Sequence, residues 1–257
     1  MDQRLIRAAK EGKLILVKTL LSEGADPNTQ DTDGSTSLYW AAFDGRMEML
    51  EELLSKGANT NITNNRGNTP LIAACFWGYL EIVKKLLSAP GNEADPRIAN
   101  SLGQTPLQLA CSQKTPDMVK ELLATEGGLA TLNIQDNIGA TPLGIACFNQ
   151  RVKTVKELLI VGGADPNIGN KAPLYANLYK YKMDSNSNRT SLKKSLKITK
   201  LLLTFGADVN NLGPNVEPIH SDIDNILKNH FPSLRTLSLK TINSNKINIS
   251  KIPTGEI

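Results

Sequence analysis

The chain has 257 residues, 40% of them hydrophobic and 5% aromatic, with a formal net charge of +4. That length and apolar content are enough to build a buried core, which excludes a disordered or low-complexity chain. No apolar run approaches a membrane span, and the opening residues, with Asp2, Arg4 and Arg7, do not read as a secretory signal.

Along the chain the dominant pattern is a repeat. It starts at the degenerate Gln3-Arg4-Leu5 and continues through Thr36-Ser37-Leu38 to three identical copies, Thr69-Pro70-Leu71, Thr105-Pro106-Leu107 and Thr141-Pro142-Leu143. The identical copies are 36 residues apart, and a sixth, Ala172-Pro173-Leu174, follows 31 residues later. A fixed period in this range signals a stack of small units sharing one core.

Each repeat has the same order of parts. The threonine hydroxyl is placed to cap a helix, and the proline fits the first turn, where its missing N–H is not needed. A small pair follows: Ala8-Ala9, Ala41-Ala42, Ala74-Cys75, Ala110-Cys111 and Ala146-Cys147. Gly12, Gly45 and Gly78 then stop the first helix. The second helix has apolar residues at helical spacing, such as Leu80, Val83, Leu86 and Leu87, and ends at a Gly-Ala-Asp type turn. About ten polar residues, the mark of a loop, lead to the next copy in the early repeats.

This order resembles the ankyrin repeat, a β-turn followed by two antiparallel helices, over about residues 1–211. The resemblance implies an all-α repeat solenoid: an ankyrin-type stack of β-turn plus helix-turn-helix units. There would be six repeats, the first and sixth degenerate. A concave face lined by the β-turn fingers and first helices would be the partner surface.

Several residues depart from the family pattern. Its histidine after Thr-Pro-Leu is replaced by Tyr39, Ile72, Gln108, Gly144 and Tyr175. Lys114 and Gln150 stand where a helix-stopping glycine is expected, and Thr115-Pro116 reads as a compensating cap. The third and fourth repeats have lengthened turns around Pro90-Gly91-Asn92 and Glu126-Gly127-Gly128.

The sixth repeat is longer by 13 residues than the second, counted from Pro173 to Gly206 against Ser37 to Gly57. The extra length falls at about 183–195, where a polar run predicts an exposed loop, either a tolerated insertion or a contact or modification loop. Beyond it, residues 212–257 read as a C-terminal capping helix, with Ile219, Ile223, Ile226 and Leu227 on one face, and a partly flexible tail. That tail either remains disordered, packs back on the stack, or serves as a docking or export signal.

No catalytic constellation stands out. There is no phosphate-cradling loop, no metal-ligand pattern and no nucleophile elbow, so no enzyme activity, cofactor or metal is expected. Cys75, Cys111 and Cys147 recur every 36 residues. Stacked helices lie about 8–10 Å apart, too far for a disulfide between equivalent positions. They read as small core residues in a reducing, cytoplasmic compartment. Residues 1–170 hold 16 basic and 19 acidic side chains, and residues 171–257 hold 13 and 6. The basic part is either a solvated surface or a nucleic-acid-binding one.

The resemblance also points to the variable positions of each repeat as the partner site. These are Thr32, Asp33, Phe43 and Asp44 in the second repeat, and Asn65, Arg66, Phe76 and Trp77 in the third. The fourth supplies Leu102, Ser112 and Gln113, and the fifth Ile138, Phe148 and Asn149. Tyr39 is added because it lies one turn before Phe43. Only 12 residues are Phe, Tyr or Trp, yet four of those rings fall in the variable set. They are either interface anchors or part of the solenoid core. The expected function is a non-enzymatic protein–protein interaction module using the concave face of repeats two to five. The alternatives are an adaptor recruiting through its C-terminal tail and an effector of an intracellular bacterium, working in the host cytosol. Nucleic-acid binding by the basic C-terminal part is a further one.

Overall fold

A computed structural model describes residues 2–169, 172–184 and 189–208. The chain divides into two compact units, Met1–Asn137 and Ile138–Ile257.

The N-terminal unit holds four helix pairs: α1 (Asp2–Lys10) with α2 (Leu14–Ser22), α3 (Ser37–Phe43) with α4 (Met47–Ser55), α5 (Pro70–Trp77) with α6 (Leu80–Leu87), and α7 (Pro106–Ala110) with α8 (Asp117–Leu123). A short α9 (Glu126–Ala130) follows. In α3, α5 and α7 the threonine works as a cap. The amide of Tyr39 donates to Thr36 Oγ1 at 3.1 Å, that of Ile72 to Thr69 at 3.2 Å and that of Gln108 to Thr105 at 3.4 Å. Each bond satisfies one of the N–H groups that a helix start leaves without a partner.

First helices pack on first helices, α1 on α3, α3 on α5 and α5 on α7, while second helices pack in a parallel row. The small pairs are fully buried at this contact, as are Leu5, Leu38, Leu71 and Leu107 of the tripeptides. One pair of helices could not remove these leucines from water alone. Gly45 shows why the helix stop is a glycine. Its φ is 73°, and Tyr79 of the next repeat lies over it, so that a Cβ would come within 2.8 Å of the ring. Arg46 covers Gly12 in the same way.

The fingers are built by an aspartate or asparagine that folds the chain onto its own side chain. Asp31 Oδ1 accepts from the amides of Asp33 and Ser35, at 2.9 and 2.8 Å. Asn64 does the same for Arg66 and Asn68, both at 3.0 Å. Asn100 does so for Leu102 and Gln104, also at 3.0 Å. Successive fingers then join in a ladder: the amide of Asn65 donates to Asp33 O, that of Ser101 to Arg66 O and that of Asn137 to Leu102 O, all at 2.9–3.0 Å. A second ladder runs behind it. Asn28 Oδ1 accepts from the Asn59 amide at 2.7 Å, and Asn61 Oδ1 from the Asp95 amide at 2.8 Å.

The fourth repeat departs from the expected cap. Cys111 ends α7 with φ −65°, Pro116 precedes α8, and no side chain caps that helix, so Thr115 does not play the role its sequence suggested. The turn around Glu126-Gly127-Gly128 is helical: it forms α9, capped by Thr125, whose Oγ1 accepts from the Gly128 amide at 3.0 Å.

The C-terminal unit contains α10 (Pro142–Phe148), α11 (Val152–Glu157), a π-helical turn at Leu158–Gly162, α12 (Pro173–Asp184) and α13 (Arg189–Thr204). Thr141 caps α10 as its counterparts do, accepting from the Gly144 amide at 3.1 Å. The π turn absorbs one extra residue. In the second repeat the amide of Ala58 reaches back five residues to Leu53 O, whereas Ala164 reaches back six, to Leu158 O. Widening the last turn takes in that residue without shifting the helix.

Gln150, at the glycine position, takes up the left-handed conformation itself, with φ 57°. Its side chain is buried and donates through Nε2 to Cys147 O at 3.0 Å and to Asn177 Oδ1 at 2.9 Å, while Oε1 accepts from the Ser195 hydroxyl at 2.9 Å. Asn177 in turn donates to Ser195 O and Thr199 Oγ1. Four buried polar residues thus satisfy one another across α10–α11, α12 and α13, which offsets the backbone strain of a non-glycine residue there.

Most of the segment 183–195, the expected loop, is helical, with 183–184 in α12. Residues 189–195 lie in α13, with Ser195 buried in the network, and the insertion instead lengthens both helices, to 12 and 16 residues. A polar run can form helix where its serine faces partners in the core. The remaining 185–188, the expected capping helix and the tail 212–257 lie outside the described residues.

Replacing Asn177 with Ala removes the centre of the polar network, and chemical denaturation should show a loss of about 2 kcal/mol. Ser37 occupies the proline position of the second repeat, and its buried hydroxyl has no partner. Ser37→Pro should therefore raise the stability of the folded chain by about 1 kcal/mol.

Candidate partner-binding face

The residue after each small pair is Phe43 on α3, Phe76 on α5 and Ser112 after α7. Because the first helices are held in register, these positions recur along one face of the N-terminal unit. Phe76 is 56% exposed and Trp77 48%, while Phe43 is half-buried. Trp77 meets Phe43 edge to face at 5.3 Å and Phe76 at 5.2 Å, so its indole is held between two perpendicular rings. Phe43 is packed against Trp77, and Phe76 and Trp77 are exposed.

Tyr39 is different. It is 8% exposed, with its phenol against Asn64 and Asn68 of the third finger, and burial pushes its pKa up. It cannot reach a partner, so as a contact residue it is corrected to a supporting one. Its ring lies 5.9 Å from Phe43.

The remaining expected residues divide in the same way. Thr32, Asp33, Asn65, Arg66, Leu102 and Ser112 are exposed, most of them on the fingertips. Asn65 is engaged, donating from Nδ2 to Thr32 O at 3.1 Å. Among the described residues Asp33 and Arg66 form no ion pair, which leaves a carboxylate and a guanidinium on adjacent tips. Asp44 pairs with Arg46 at 2.8 Å. Gln113 donates to the carbonyls of Cys75 and Phe76, at 3.1 and 2.7 Å, and so fixes the end of α5. In the C-terminal unit Ile138 and Phe148 are exposed, and half-buried Asn149 donates to Ile145 O at 3.0 Å.

Two rings outside the expected set belong with it. Trp40 donates from Nε1 to Asp31 Oδ2 at 3.0 Å and takes Lys10 Nζ over its ring at 4.2 Å, tying α1, α3 and the second finger together. Tyr179 on α12 is exposed and stands five residues after the leucine of Ala172-Pro173-Leu174, the position of Phe43, Phe76 and Phe148. It lies against Tyr175 at 5.8 Å, as Phe43 does against Tyr39. Carrying the repeat alignment one copy further would have found it.

The three cysteines are buried and form no disulfide among the described residues. Desolvation raises the thiol pKa of Cys75 and Cys111 far above its usual value, and each remains a neutral apolar side chain. Among the described residues no group of His, Cys, Asp and Glu could hold a metal ion.

Residues 5–97 and 89–170 match the model of a family described as ankyrin repeats in three copies. The chain belongs to the ankyrin-repeat family. The helices α12 and α13 lie beyond the matched residues. A comparison with curated proteins finds no match. Among the described residues no helix is long and apolar enough to cross a membrane.

The two tryptophans should separate in fluorescence. Iodide should quench most of the emission that Trp77→Phe removes, and much less of what Trp40→Phe removes. The thiols of Cys75 and Cys111 give a second check. Their folded pKa lies above the unfolded value, so their contribution to stability is complete below about pH 8.5 and declines above it. Ellman's reagent should react with them at a rate set by opening of the fold.

Proposed function

We propose that the chain is a non-catalytic module that binds a partner protein on the face of repeats two to four, with Phe76 and Trp77 as anchors. Ankyrin repeats generally mediate protein–protein interaction and are typically non-enzymatic. The observation that carries the proposal is the exposure of two adjacent large rings on a helix otherwise buried, beside fingertips with Asp33 and Arg66.

The energetics favour these rings. Covering the exposed parts of Phe76 and Trp77 removes on the order of 200 Å² from water, worth about 5 kcal/mol before the costs of association. Phe43 and Phe76 already restrict the indole, so ordering it costs little. Asp33 and Arg66 stand at the rim, where charges set orientation and on-rate more than affinity. Phe148 and Tyr179 extend the same chemistry to the C-terminal unit's own surface. Three buried cysteines that form no disulfide among the described residues support a cytosolic setting.

A photo-crosslinking pull-down with the wild type identifies the partner. The triple variant Phe43→Ala, Phe76→Ala, Trp77→Ala should then lose about 2 kcal/mol or more, roughly thirtyfold in Kd. Unchanged affinity in a triple variant with wild-type circular dichroism would remove these residues from the site.

A further inference from the structure

The outer helices of the two units differ sharply in charge. In the N-terminal unit, α2, α4, α6 and α8 carry six acidic and four basic residues. These neutralise one another in pairs such as Lys85 with Glu51 at 3.1 Å and Lys84 with Glu81 at 2.9 Å. In the C-terminal unit, α11 and α13 carry seven basic residues and one acidic residue, the half-buried Glu157. These two helices pack against each other. Lys153 and Lys156 on α11 and Lys193, Lys194 and Lys197 on α13 are all exposed, and none has an ion pair among the described residues. Lysines that look scattered in the sequence are thus gathered by two neighbouring helices.

The end of α11 adds a second feature. Ile160 and Val161 are exposed there, at 56% and 65%, at positions that are equally exposed in the first two repeats but hold the polar pairs Ser22-Glu23 and Ser55-Lys56. The basic face therefore ends in an apolar edge, and it does so only in the C-terminal unit.

We propose that this face is a second docking surface, separate from the aromatic one, and that it takes an acidic polypeptide segment with apolar residues among its carboxylates. Charge complementarity gives the sign of the partner. A strand of nucleic acid fits less well, because α11 and α13 have no aromatic residue between their lysines to stack a base, the exposed Phe205 following the end of α13. A bilayer also fits less well. Two aliphatic side chains fall well short of the fatty chain that must accompany a polybasic patch for stable anchoring. An acidic segment uses both features: carboxylates spaced about one helical turn apart match Lys193 and Lys197, and an aliphatic residue covers Ile160 and Val161.

The test uses the full chain and fluorescence anisotropy with a labelled dodecapeptide of glutamate and leucine. The expected result is binding that weakens at least about tenfold between about 50 and 300 mM salt. The variants Lys153→Glu, Lys156→Glu and Lys193→Glu, Lys194→Glu, Lys197→Glu should each weaken it more than about fivefold, and lysine-to-glutamine versions should weaken it less. Phe76→Ala, Trp77→Ala should leave it unchanged, which separates this surface from the aromatic one. Equal binding of a glutamine-for-glutamate peptide would overturn the proposal. So would tighter binding of a single-stranded oligonucleotide or of phosphatidylserine vesicles, or indifference to charge reversal in variants with wild-type circular dichroism.

Discussion

The close approach of one first helix to the next is the contact on which the rest of the N-terminal unit depends. It requires small side chains at Ala8-Ala9, Ala41-Ala42, Ala74-Cys75 and Ala110-Cys111, all of them buried. Once those helices are close, the tripeptide leucines share one core, and each finger falls within hydrogen-bonding distance of the next. The finger ladder and the asparagine ladder are consequences of that spacing, since neither could form if the helices stood farther apart. The same contact explains the cysteines. A thiol is nearly as compact as a methyl group and is neutral when buried, so it serves where alanine does.

A rigid register has a functional consequence. The residue after the small pair is placed identically in every repeat, and its exposure is decided by what the next finger and the next helix bring near it. Phe43 is half covered because Trp77 follows on the neighbouring helix, whereas Phe76 faces Ser112 in its own row and stays open. Presentation of a ring is thus a property of two successive repeats. For this reason the aromatic set could be located from sequence, but its division into support and contact could not.

The fold was legible wherever a local rule acts alone. Threonine caps, first-turn prolines and helical spacing of leucines each follow from backbone chemistry within four residues, and they placed the helix pairs from the first repeat to the fifth. What sequence could not show depends on partners distant in the chain. Gln150 occupies a glycine position at a conformational cost, and only Asn177 and Ser195, 27 and 45 residues away, explain how it is tolerated. Tyr39 has the composition of a contact residue, but the third finger closes over it. The polar run at 183–195 has the composition of a loop, yet Ser195 is in the core network of α13. Thr115-Pro116 repeats the letters of a cap without its geometry, because the preceding turn ends α7 differently.

Each departure from the repeat has a physical counterpart, and the departures are not equivalent. The replacement of glycine by Gln150 turns inward: it trades a flexible stop for a buried network that specifies how the last two helix pairs of the C-terminal unit fit together. The end of α11 turns outward, since the exposed places there are filled by the aliphatic Ile160 and Val161. An apolar pair held in water has an energetic cost that a polar pair at the same place, as in the first two repeats, does not have. The lysines on α11 and α13 have a parallel cost, because like charges on adjacent helices repel at low salt where mixed charges would attract. Two unfavourable features on the same pair of helices are most simply explained if one ligand relieves both. That places the acidic, apolar partner on the C-terminal unit, and leaves the uncharged rings Phe76 and Trp77 to a different one.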